Sequence, residues 1–483
     1  MSADSDFLNP VFLRDTRQMF HSRVILVVMG ILLLLEVGQL CFMPYLSDFL
    51  NEDVSEDLGM ISFVLQLVVI NLVCLLCLVV SQTAAFSRER QTPDLDWSRM
   101  TVLSPFTIVL GKLYCAMCTV FLIYAVGGPF LYIAYFMRGI SQGQMAITVC
   151  CLLVQQLLVA MLCILLGALG RKNIEGLATL GGMAILITFA VQNAIFSSNY
   201  FRHRYLMTYL INNLLIDLAI SGLLFAIAVA VLTPRTGNVM YWPRLYLGFL
   251  PWIFSVLALV LFPFAPAFRS KSPWLVGLSL FWGLNMLSAC LLSLAACFDR
   301  LEPGPRVLAD RPKSRLRRLF RFLFSSGRAG GILQCWLKTL VICLSYCAIL
   351  HFCSDKDMNV DTVLFGIPFF ILFYLHLTSC LVLFRPSLKP LPVFFVVFIV
   401  FFCLPLMGYG LSYHFFEENN LENRWLLLTT PFCLRSGDIL GVCAGAFLAI
   451  VSGVPLVRYV LSHARDFIFD AKEADVTKGG TNA

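Results

Sequence analysis

The chain has 483 residues, 59% hydrophobic and only 13% charged, with a mean hydropathy of +0.84 and a formal net charge of +7. A soluble globular chain carries about 25% charged residues, so these residues cannot cover a water-facing surface, and lipid is the solvent they suit. The sequence therefore excludes an ordinary soluble enzyme, and the excess positive charge follows from loop composition without implying nucleic acid.

Apolar runs of the roughly 20 residues that a helix needs to cross about 30 Å of hydrocarbon recur along the whole chain. Alternating ten-residue strands, the mark of a membrane β-barrel, are absent. The expected fold is an all-α, polytopic bundle of about twelve spanning helices. The first six are predicted at 24–43, 60–85, 109–136, 144–169, 176–196 and 208–232. The second six are predicted at 245–265, 274–297, 331–352, 362–384, 392–414 and 438–460. The first run is too long for a cleavable signal segment and lacks a small-residue cleavage site, so it is expected to remain as a spanning helix. With the N-terminus inside, about 26 of the 35 basic residues fall on the cytoplasmic side, as the retention of Lys and Arg requires. Both termini are then inside. The densest basic segment, 298–330, is a cytoplasmic loop, and 466–483 is a polar, disordered cytoplasmic tail.

The eighteen Cys sit almost entirely within apolar runs, where they act as small hydrophobes. The pairs Cys74/Cys77 and Cys115/Cys118 have C-x-x-C spacing but lack His or carboxylate neighbours, so no metal site is expected. No phosphate loop and no dinucleotide fingerprint occurs. The chain is read as a non-enzyme without a cofactor of its own. Any energy it uses comes from a partner or from a gradient.

The loop after the second span runs from Phe86 to Lys112. Arg88, Glu89 and Arg90 form a charged stop at the membrane face. Thr92 is a candidate N-cap for Pro93 in a first helical turn, with Asp94 near the positive helix end. Asp94 to Met100 form a short amphipathic helix, with Leu95, Trp97 and Met100 apolar and Asp94, Asp96 and Arg99 polar. Leu103, Ser104 and Pro105 end it and restart the chain into the third span, with Ser104 or Thr107 as the next cap. A helix of this kind either docks a partner or lies in the headgroups.

This ordered series resembles the first cytoplasmic loop of type-2 ABC transporter permeases, the exporter-like membrane subunits. The matching positions are Arg88-Glu89-Arg90, Thr92, the turn Thr101-Val102-Leu103-Ser104-Pro105 and the closing Gly111-Lys112. Asn9-Pro10-Val11 and the segment from Arg14 to Arg23 also look like that family's N-terminal amphipathic stretch. The resemblance covers 1–235, and beyond it only general character is shared. It implies a coupling helix near 92–105 that sits in a cleft of a separate cytoplasmic ATPase subunit, which binds the ATP. Arg88, Glu89, Arg90, Thr92, Asp94, Leu95, Trp97, Arg99, Leu103, Ser104, Pro105, Gly111 and Lys112 would form that interface.

The second half, 236–465, also holds six predicted helices, and Phe298 to Glu302 loosely echoes Phe86 to Arg90. The following stretch to Phe324 places Leu316, Leu319, Phe320 and Leu323 opposite Arg317, Arg318 and Arg321. It is either a second coupling element in a duplicated transport domain or a cationic helix held on anionic lipid. Without duplication, a homodimer of the first-half bundle would complete the pathway. Glu36 and Asp217 are the conspicuous intramembrane acids, candidates for a translocation path because a carboxylate there must face the bundle, water or a base. Gln66, Asn71, Gln155, Gln156, Asn212, Asn213, Asn285 and His376 are expected to hydrogen-bond between helices. A gradient-driven transporter or channel and a non-transporting scaffold are the competing readings.

Overall fold

The computed structural model describes residues 9–21, 23–49, 58–84, 103–136, 142–169, 206–234 and 237–261, most positions of 284–299, and 305–309, 312, 314–352, 362–384 and 439–468. The regular elements among them are all helical. The expected spans 176–196 and 392–414, most of 274–297, and the tail from 469 lie outside the described residues. Six described helices are long and apolar enough to cross a membrane, which makes this a membrane-embedded protein. Helices are what the sequence demands there, since hydrocarbon offers backbone N–H and C=O groups no partner outside the helix itself. The chain divides into two compact units, one formed by 1–232 with 261–270 and the other by 233–260 with 271–483.

The first unit contains α1 (Pro10–Phe20), α2 (Arg23–Phe49), α3 (Leu58–Leu78), α4 (Pro105–Phe136), α5 (Gln142–Leu169) and α6 (Leu206–Leu232). The last stretch before the 86–102 loop, Val79–Ala84, winds as a π-helix. Such widened turns are uncommon and concentrate at functional positions. The 32-residue α4 is the hub, packing against α1, α2, α3, α5 and α6. Its Gly127 lets α3 approach closely: a Cβ there would lie 2.5 Å from Ile70 Cδ1. Ile70, Leu67, Phe63, Val120, Ile123 and Leu32 form the apolar centre of this unit. Pro105 occupies the first turn of α4, where a missing N–H is harmless. Of the two expected caps, Ser104 takes the role, its Oγ accepting from the Thr107 amide at 3.2 Å.

The second unit contains α7 (Tyr241–Leu261), α8 (Pro305–Ala309), α9 (Arg315–Phe324), α10 (Arg328–Phe352), α11 (Thr362–Phe384) and α12 (Ile439–Ile468). Gln334 donates to the Arg244 carbonyl at 3.0 Å and Lys338 to the Gly248 carbonyl at 3.1 Å. The equal four-residue steps mean that α7 and α10 run parallel. Lys338 also donates to Asn285 Oδ1 at 3.0 Å, so its buried ammonium has two oxygen partners. His376 ties three helices together: its Nε2 accepts from Trp336 Nε1 at 2.7 Å, and Nδ1 lies 3.0 Å from the Ala449 carbonyl. The Nδ1–H tautomer satisfies both contacts. Gly453 leaves room for the ring, since a Cβ there would lie 3.0 Å from its Cε1.

Arg244, Asp299 and Arg328, all at or near the ends of apolar runs, are buried in the structure. Arg244 Nη2 meets Asp299 Oδ2 at 2.7 Å and the Gly327 carbonyl at 3.0 Å, while its Nη1 donates to the Ser325 carbonyl. Asp299 Oδ2 also accepts from the Gly327 amide at 2.7 Å, and Arg328 Nη2 donates to the Asp299 carbonyl at 3.2 Å. Gly327 can present both backbone groups to the pair because it sits at φ 152°, a region that side chains disfavour. The clasp fixes the turn between α9 and α10. Asp299→Ala, which strands a buried guanidinium, is expected to lower stability by about 3–5 kcal/mol. Gly327→Ala is expected to cost about 1–3 kcal/mol through backbone strain. Thermal unfolding of the purified protein in detergent checks both, and an unchanged midpoint for Asp299→Ala would remove the clasp from the account.

Candidate functional site

Two regions of the first unit carry the residues singled out by sequence. The first is the exit of the 86–102 loop into α4. Arg88, Glu89, Arg90, Thr92, Asp94, Leu95, Trp97 and Arg99 lie outside the described residues. Leu103 is half-buried, Ser104 exposed, and Gly111 and Lys112 buried.

Gly111 and Lys112 face α1. Asn9 caps α1 by accepting from the Val11 amide at 3.0 Å, and its Nδ2 donates to the Thr107 carbonyl at 2.7 Å. A Cβ on Gly111 would come within 2.9 Å of both Asn9 Nδ2 and Val11 Cβ, so glycine is what permits this approach. One turn on, Lys112 Nζ pairs with Asp15 Oδ2 at 3.2 Å, with the ammonium 4% and the carboxylate 13% exposed. Farther along, Phe12 packs edge-on against Tyr114, and the Thr119 hydroxyl donates to the Met19 sulfur at 2.9 Å. The amphipathic segment before the first span is therefore a strap bound along the first four turns of α4. Sequence reasoning missed Asp15. The signal was available: a lone acid inside the otherwise basic Arg14-to-Arg23 segment, with one lysine near the start of the third span.

The second region is the interior. Asn71 Oδ1 accepts from the Tyr124 hydroxyl at 2.7 Å and from Gln156 Nε2 at 3.0 Å, joining α3, α4 and α5. Gln39 Nε2 donates to the Ser62 carbonyl at 3.2 Å, joining α2 to α3. These contacts set the registers. In the antiparallel α2–α3 pair, Glu36 is level with Gln66. With α3 and α5 parallel, Gln66 is level with Cys151. Glu36 of α2 and Asp217 of α6 are both buried within this unit. Glu36 is fully buried, and neither of its oxygens has a hydrogen-bond partner. Gln66 departs from the expected inter-helix bonding: it too is fully buried, with both amide atoms unpartnered. Ser62 Oγ and Thr148 Oγ1 are in the same condition. Unsatisfied buried polar atoms are scarce in stable cores because each costs about 1–3 kcal/mol. Other buried amides, such as Asn71, Gln156 and Gln334, leave one atom without a partner, whereas Glu36 and Gln66 leave both. The side chains of Asn212 and Asn213 are outside those described.

No group of three or more His, Cys, Asp or Glu able to hold a metal occurs among the described residues. No family model, no curated protein and no solved structure matches the chain.

Asp15→Ala is expected to weaken strap docking by about 1.5–3 kcal/mol, the range for a hydrogen bond to a charged group. That corresponds to at least about tenfold faster trypsin cleavage at the strap residues Arg14 and Arg17 in the folded protein. Unchanged cleavage would mean that the ion pair does not hold the strap. Asn71→Leu, which leaves Tyr124 and Gln156 without their shared acceptor, is expected to cost about 2–4 kcal/mol, seen as a lower unfolding midpoint.

Proposed function

We propose that the chain is the membrane-spanning permease subunit of an ATP-binding cassette transporter of the exporter-like type, driven by a separate cytoplasmic ATPase subunit. In this reading about twelve helices cross the inner membrane with both termini in the cytoplasm. The chain has no ATPase motif of its own, and the partner binds ATP.

The observation that carries the reading is the ordered series Arg88-Glu89-Arg90, Thr92, Leu103-Ser104-Pro105 and Gly111-Lys112 after a second apolar helix. The mechanical setting of that loop supports it. The loop begins where α3 loosens into a π-helix and ends at the capped start of α4, the helix that touches every other described helix of its unit. A displacement applied to the loop would enter α4 at its strapped end. A rigid helix would carry it across about 30 Å. The strap ties α1 into the same movement through Asn9 and Asp15. Glu36 and Asp217, both buried in this unit, would then line the path that the movement opens.

A gradient-driven transporter is the second reading, and the sealed, unpartnered Glu36 is the observation that favours it. The two diverge on the loop. If an ATPase grips it, Trp97→Ala and Glu89→Arg each abolish co-purification of the soluble ATPase from native membranes and remove transport-stimulated ATP hydrolysis. Glu36→Gln leaves the association intact. If Trp97→Ala and Glu89→Arg leave the association unchanged, the coupling assignment fails.

A further inference from the structure

We propose that α9 is a membrane-surface anchor whose arginines bind the anionic headgroups of the adjoining leaflet while its apolar arc enters the boundary with the acyl chains. This rests on the membrane-embedded character of the chain and not on the transporter reading.

Viewed down the helix at 3.6 residues per turn, Leu319, Leu323, Leu316, Phe320 and Phe324 follow one another around one side. Arg317, Arg321, Arg318 and Arg315 occupy the other, and no acid occurs in the helix. What holds α9 to the protein lies among the arginines. Phe322 is buried against Phe467 of α12, with ring centroids 5.5 Å apart. Arg318 donates to the Pro312 carbonyl at 2.7 Å and to the Ile468 carbonyl at 3.0 Å. The apolar arc is turned outward instead: Leu316 is 67% and Phe320 53% exposed. In water that arrangement is inverted; against lipid it is the expected one.

Two further observations fix the depth. Ile468 is the last residue of an apolar helix long enough to cross the membrane, so the contact from Arg318 sets α9 at the end of a span. On α12 the exposed apolar stripe Phe447, Ile450, Val454 and Leu461 gives way to exposed Arg465 just before that point. The arc also continues into another lipid-suited surface. Phe320 stacks on Phe324, and Phe324 on Phe249 of α7, at 6.5 Å each. From Phe249 the exposed stripe runs on through Trp252, Ile253 and Val256. A cytoplasmic protein would have to reach under the headgroups to cover this arc, whereas the leaflet already lies there. Basic residues at such a position attract anionic lipid.

The test uses the full-length protein in nanodiscs of phosphatidylcholine alone or with phosphatidylglycerol, followed by hydrogen–deuterium exchange. The amides of 315–324 are expected to exchange several-fold more slowly in the anionic discs, with α11 unchanged. Combined Arg315→Gln, Arg317→Gln and Arg321→Gln should erase the difference. The wild-type comparison decides the matter by itself should the variant fail to fold. Equal exchange in the two lipids would overturn the proposal, as would slowing that appears only when a soluble ATPase subunit is added.

Discussion

Everything in this molecule depends on keeping polar groups satisfied where water does not reach. An unpaired charge in such a place costs several kcal/mol, and a missing hydrogen bond about 1–3 kcal/mol. Each unit has near its start an ion pair, part-buried in the first and fully buried in the second, that joins an early helix to a much later residue. In the first, Asp15 and Lys112 are 97 positions apart. In the second, Arg244 and Asp299 are 55 apart. A glycine stands at each clasp, Gly111 letting the strap approach and Gly327 turning its backbone onto the pair. Within each unit, uncharged polar groups also join helices: Asn71 with Tyr124 and Gln156 in the first, and His376 with Trp336 and Ala449 in the second.

Glu36 and Gln66 differ from the half-satisfied amides Gln39, Asn71 and Gln156 in that both polar atoms of each lack a partner. A carboxyl and an amide at one level, both sealed and unpartnered, destabilise the closed arrangement relative to one that admits water or a polar ligand.

Helix positions were largely legible from the sequence because apolar length is a strong signal. The expected 109–136, 144–169 and 362–384 differ by only a few residues from Pro105–Phe136, Gln142–Leu169 and Thr362–Phe384. The clearest difference is at the C-terminal side, where α12 continues to Ile468 although its apolar run was expected to end at 460. Its extra turns are held by tertiary contacts from Phe322 and Arg318, which no local pattern announces. The burial of Arg244 was not legible for the same reason. Charge statistics assign arginines near helix ends to water, yet this one is enclosed by the turn between α9 and α10. Asn71, Asn285 and His376 were recognisable as inter-helix polar groups, but their partners were not, since pairing between distant helices depends on register. The loop residues from Arg88 to Arg99 lie outside the described residues, so their role rests on the sequence pattern and on the setting of the helices at either end.

The account turns on whether the loop between α3 and α4 faces the cytoplasm. The most direct measurement inserts a short epitope between Thr92 and Pro93 and compares antibody access in intact cells stripped of their outer envelope with access in inside-out membrane vesicles. The account predicts binding only in the inverted vesicles. Binding to the intact cells would place the loop on the opposite face, where no cytoplasmic motor could reach it.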